Sequence, residues 1–145
     1  MLIKPLRPFS VLVICPNHFG LGQTIGSLVQ NNVQNSLHLL TQAVVADSQS
    51  IGLGKFLDQN ETFSAVILDS FATPGSDHLP RETVGLLQKL EARKYPMAQL
   101  VGISSLAGLR AEFVKKGCVT VCDKDPNEIA NAIVDIFAKI CAAMS

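Results

Sequence analysis

Three residue types that together can handle a phosphoryl group stand just past three short apolar runs. Asp69 follows "AVIL", Ser104 follows "LVGI", and Lys124 lies two residues past "VTVC". A carboxylate can be a covalent acceptor, a lysine can neutralise phosphate charge, and a hydroxyl can donate to a phosphoryl oxygen. Cys15, Pro16 and Asn17 follow a fourth run, "VLVI", and Asp47 follows a fifth, "AVVA".

Two rival chemistries compete with this set. Gly20, Gly22 and Gly26 are spaced G-x-G-x-x-x-G after the first run, and Asp47 ends the second. A dinucleotide loop needs its first glycine almost directly after the strand and has the spacing G-x-G-x-x-G. Here the five residues "CPNHF" intervene and the spacing differs. The glycines are therefore expected to shape a loop, at Gly20 and Gly22, and to allow close helix–sheet packing, at Gly26. Asp47 is expected to cap the second helix. A nucleotide- or small-molecule-binding flavodoxin-like module is kept as a minor alternative. The second rival is a metal or redox site. Cys15, Cys118, Cys122 and Cys141 form no paired C-x-x-C units, and His18, His38 and His78 are scattered. Cys118 and Cys122 bracket a short apolar run and are expected to be buried strand neighbours.

The elements that must position these residues follow from periodicity. Strands are expected at Val11–Ile14, Ala43–Ala46, Ala65–Leu68, Leu100–Ile103 and Val119–Cys122, each nearly continuous in apolar character, as in strands covered on both faces. Helical faces lie between them. Ile25, Leu28, Val29 and Val33 form one, with "VQNNVQNS" extending or breaking it. Ile51–Leu57 forms a short second, and Val84, Leu87 and Leu90 behind Pro80 form a third. Leu106, Leu109, Phe113 and Val114 form a fourth, closed by Gly117. Ile129, Ile133, Phe137 and Ile140 form the last, opened by Asp125 as cap and Pro126 at the first position. Strand and helix alternate five times, which predicts a doubly wound parallel sheet. In such sheets function collects at the carboxyl ends of the strands.

The whole chain sets bounds on this picture. Its 145 residues are 48% hydrophobic and 17% charged, with zero formal net charge. That suits one globular domain spanning 1–145 with no separate output domain, and gives no electrostatic case for nucleic acid or membrane. The N-terminal "MLIKPLRP" leads into no apolar stretch of signal-peptide or membrane length, so a cytoplasmic protein is expected. The charged group Arg110, Glu112, Lys115 and Lys116 reads as an exposed helix face.

With these elements placed, nearly the whole chain resembles the receiver domain of bacterial response regulators. "FSAVILDS" is similar to the family's third strand with its phospho-acceptor, here Asp69. "QLVGISS" is similar to the fourth strand, ending in the switch hydroxyl, here Ser104. "FVKKGCVTVCDKDPNEIANAI" is similar to the stretch that carries the site lysine, here Lys124. The resemblance implies a five-stranded sheet in the order 2-1-3-4-5. It also implies two-component signalling, a histidine kinase or phosphotransfer protein as partner, a fourth-helix face used for partner or homodimer contacts, and no enzyme activity of its own. Three features depart from it. The acidic pair that holds a divalent metal is replaced by Cys15 and Pro16. Val121 stands where an aromatic switch residue is usual. The loop "SFATPGSDHLP" is longer than usual. Magnesium needs hard oxygen ligands, so weak or no binding is expected, with Asp69 as at most a weak ligand. The expected function is a pseudo-receiver acting through regulated protein–protein contact, with a conventional phospho-accepting regulator at Asp69 as the alternative.

Overall fold

The computed structural model describes residues 9–16, 20–58, 63–73 and 75–144. Five strands, β1 (Phe9–Ile14), β2 (Thr41–Ala46), β3 (Ala65–Asp69), β4 (Leu100–Ile103) and β5 (Thr120–Cys122), form one parallel sheet in the order 2-1-3-4-5. Between and after them come α1 (Leu21–Leu37), α2 (Gln49–Asp58), α3 (Arg81–Ala92), α4 (Ala107–Lys115) and α5 (Pro126–Ala143). This is the α/β, doubly wound parallel sheet that the alternation of elements predicts, in the flavodoxin-like strand order that the family resemblance implies.

The period-two alternation of a strand divides the core into two layers. Val11, Val13 and Ile67 pack on one side with Ile25, Val29 and Val33 of α1 and Ile129, Ile133 and Phe137 of α5. Leu12, Ile14, Val66 and Leu68 pack on the other with Phe56 of α2, Leu87 and Leu90 of α3, and Phe113 of α4. Helices stand close to the sheet where glycine removes a Cβ. One added to Gly26 would lie 3.3 Å from the Ala43 Cβ, and one added to Gly102 only 2.5 Å from the Phe113 ring.

Caps follow local chemistry. The Asp125 carboxylate accepts from the Asn127 N–H at 3.0 Å, and Pro126 opens α5. Gly117, at φ 102°, donates to the Val114 carbonyl while Cys118 donates to that of Phe113, closing α4 in a Schellman motif.

Of the two outcomes left open for "VQNNVQNS", it extends the first helix, and α1 runs to Leu37. Several expectations need correction. Ser48, not Asp47, caps α2: its hydroxyl accepts from the Ile51 N–H at 3.2 Å, while Asp47 is exposed. Gly22 lies within α1, where an added Cβ would approach Val45 to 2.8 Å, so it serves packing and not the loop. Val119 falls outside β5 and is 70% exposed. Leu106 and Val114 are exposed, so α4 grips the core through Leu109 and Phe113 alone. Cys118 and Cys122 are buried in opposite layers and are not strand neighbours.

Candidate functional site

The register brings the site residues together at the carboxyl end of the sheet. Ile14 pairs with Leu68, so Cys15 lies beside Asp69 on the adjacent strand ends. Asp69 pairs with Ile103, which places Ser104 on the next strand end. The Ser70 N–H donates to the Ile103 carbonyl at 3.1 Å and the Ser104 N–H to the Cys122 carbonyl at 3.0 Å, carrying the ladder to Asp123 and Lys124.

Asp69 is 1% exposed, and the described side-chain and backbone groups that contact its carboxylate all donate to it. The Lys124 Nζ lies 2.8 Å from its Oδ2, the Cys15 thiol donates to the same oxygen at 3.7 Å, and the Phe71 N–H donates to Oδ1 at 2.8 Å. Phe71 holds φ 55°, a left-handed conformation unusual for a bulky residue, and its N–H bond to Asp69 and packing in the core offset that strain. The Cys15 thiol is pushed up to about 12, first by burial and then by the Asp69 charge, so at neutral pH it is a protonated donor.

Ser104 is buried, and its hydroxyl accepts from the Leu106 N–H at 3.1 Å at the start of α4. Arg110 donates to the Ser104 carbonyl at 2.8 Å and approaches Asp123 at 3.9 Å. The His78 Nδ1 lies 2.8 Å from a Glu112 carboxylate oxygen, and this bond, with Lys115 and Lys116 nearby, lowers the Glu112 pKa. Arg110 and Glu112 are thus tied down, and only Lys115 and Lys116 behave as the plain exposed face expected of the group. Asn17 and His18 lie outside the described residues.

Two residues missed in the sequence join the site from behind. The Thr83 hydroxyl, fully buried on α3, donates to the Ser70 carbonyl at 2.7 Å, and the buried Gln49 amide donates to Thr83. Threonine and glutamine carry no motif. Their only sequence signal is a polar residue on an otherwise apolar helix face.

The donor set does not fit magnesium. Among the described residues Asp69 supplies the carboxylate that contacts the Lys124 ammonium and the Cys15 thiol, and it is already paired. The thiol is soft and protonated, and Pro16 offers only a carbonyl. Among the described residues no group of three His, Cys, Asp or Glu side chains could hold a metal ion. No helix among them is long and apolar enough to cross a membrane.

Solved structures share this fold. A response regulator receiver domain protein from Clostridium thermocellum superposes with a TM-score of 0.68 at 16% identity, over 93% of this chain and 98% of that one. An orphan response regulator of H. pylori superposes with a TM-score of 0.60 at 14% identity, over 91% and 96%. No protein-family model matches the chain, and no curated protein matches it. The chain has the receiver-domain fold.

Proposed function

We propose that this receiver-like domain is a pseudo-receiver: a cytoplasmic, non-enzymatic signalling module that works through regulated contact with a protein partner. The observation that carries this is that both Asp69 oxygens are already engaged. They accept from Lys124, Cys15 and Phe71, and among the described residues no group of three His, Cys, Asp or Glu side chains is placed to hold a hard metal. Without such a metal, the charge that develops on a transferring phosphoryl group is met by one ammonium only. The exposed outer side of α4 is the surface a partner reads.

The Lys124–Asp69 contact also supports a second reading, a conventional acceptor that takes a phosphoryl group from a histidine kinase or phosphotransfer protein. Acetyl phosphate with magnesium separates the two. In acceptance, an Asp69 oxygen attacks phosphorus and acetate leaves. On the first reading the wild type stays unlabelled by intact mass. Joint replacement Cys15→Asp and Pro16→Asp adds two hard ligands, so that variant gains magnesium binding and a label that Asp69→Asn abolishes. Ready labelling of the wild type at Asp69 establishes the second reading. If the double variant gains neither metal nor label, the likeness to receivers is one of fold alone.

A further inference from the structure

We propose that Arg110 is the positioning residue through which the Asp69–Lys124 pair sets the orientation of α4. The helix has a thin apolar grip, since only Leu109 and Phe113 of its nine residues are buried. Polar ties therefore weigh heavily in how it sits. Arg110 supplies the tie that faces the site. Its Nη1 donates to the Ser104 carbonyl at 2.8 Å, at the end of β4, and lies 3.9 Å from Asp123 Oδ2, at the end of β5. The other Asp123 oxygen accepts from the Lys124 backbone N–H at 2.6 Å. The Lys124 ammonium in turn holds Asp69. One guanidinium nitrogen thus joins α4 to the ends of both β4 and β5.

A second side-chain tie reaches α4 from another direction. His78 holds Glu112 from the loop after β3, and the His78 side chain is 84% exposed, so water competes for that contact. The Arg110 side chain is 26% exposed and its Asp123 partner 53%, so water also reaches that arm, while the carbonyl that Arg110 holds belongs to the buried Ser104. A change at Asp69 that releases Lys124 shifts the 123–124 loop, and Arg110 passes the shift to α4. This rests on the reading of α4 as the partner surface, but it concerns the helix itself and requires no phosphoryl group.

The test is amide hydrogen exchange of α4, with the α1 amides as control. In the wild-type background, Asp69→Asn should speed exchange of the α4 amides by about fivefold relative to α1, within the range such couplings carry. In an Arg110→Met background the same change should move them less than twofold. Asp123→Asn cuts the tie from the other side without touching α4 and should remove the response equally, which keeps the test sound if Arg110→Met folds poorly. The proposal is overturned if Asp69→Asn leaves α4 unmoved, or if α4 responds as strongly with Arg110 or Asp123 replaced. Acetyl phosphate labelling of the wild type would overturn the pseudo-receiver reading and leave this coupling standing.

Discussion

Removing the Lys124 ammonium would leave the Asp69 carboxylate buried with two weak or neutral donors, the Cys15 thiol and the Phe71 N–H. Breaking a buried pair from one side is costly because the other charge stays behind. The Lys124 side chain is 30% exposed, so entering water recovers part of the loss. Lys124→Met should therefore cost about 2 to 3 kcal/mol in urea unfolding at pH 7. Adding Asp69→Asn should return part of it, since the stranded charge is gone. A double variant less stable than Lys124→Met alone would show that Asp69 does not depend on Lys124. The Thr83 hydroxyl offers a neutral counterpart. Thr83→Val keeps the shape but leaves the Ser70 carbonyl and the Gln49 amide without their partner. A loss of about 1 to 3 kcal/mol is expected in the same measurement. At this scale Asp69, Ser104 and Lys124 were legible because reactive types fell just past apolar runs. Arg110, Thr83 and the Cys15 donor were not, because their roles come from neighbours distant in sequence.

Glycines test how the elements fit. A Cβ at Gly102 would sit 2.5 to 2.8 Å from the Phe113 ring, and α4 could make room only by lifting off the sheet. Gly102→Ala should destabilise by about 1 to 3 kcal/mol, the usual cost of overpacking. Gly85 lies inside α3, and a Cβ there meets nothing within 4 Å. Gly85→Ala should instead stabilise by about 0.4 to 1 kcal/mol, mainly by restricting the unfolded chain. Matched thermal melts of the two variants decide both, and a shift of the same sign in each would refute the packing picture. The elements themselves were largely legible, because continuous apolar runs and helical periods leave few alternatives for a chain that alternates them. The limits lay at edges. Val119 looks like a strand residue by type, yet it precedes a three-residue edge strand and stays 70% exposed. Leu106 and Val114 fit a helical period, yet α4 buries a narrower stripe than the pattern allows. Hydrophobic type marks what can be buried, and tertiary packing selects from it.

At the scale of the whole molecule, burial of thiols and one phenol sets the alkaline limit of stability. Cys15, Cys118 and Cys122 are all buried, and their pKa values are pushed up to about 12, about 12 and about 11, in each case first by burial. Tyr95, buried with its hydroxyl on the Phe63 carbonyl, is pushed upward for the same reason. In the unfolded chain these thiols ionise near their usual 9.0. Between that pH and the folded values, the unfolded state therefore binds fewer protons than the folded one. Stability then falls as pH rises. Their contribution is fully present below about pH 9 and is lost progressively up to about pH 11 to 12. The urea midpoint should hold steady through neutral pH, allowing for other groups, and drop steeply above pH 9. Cys118→Ala and Cys122→Ala should each flatten that drop while lowering the midpoint at pH 7 through lost packing. A midpoint that rises between pH 9 and 11, or an alkaline slope that the joint substitution leaves unchanged, would show that these thiols ionise as easily in the fold as outside it.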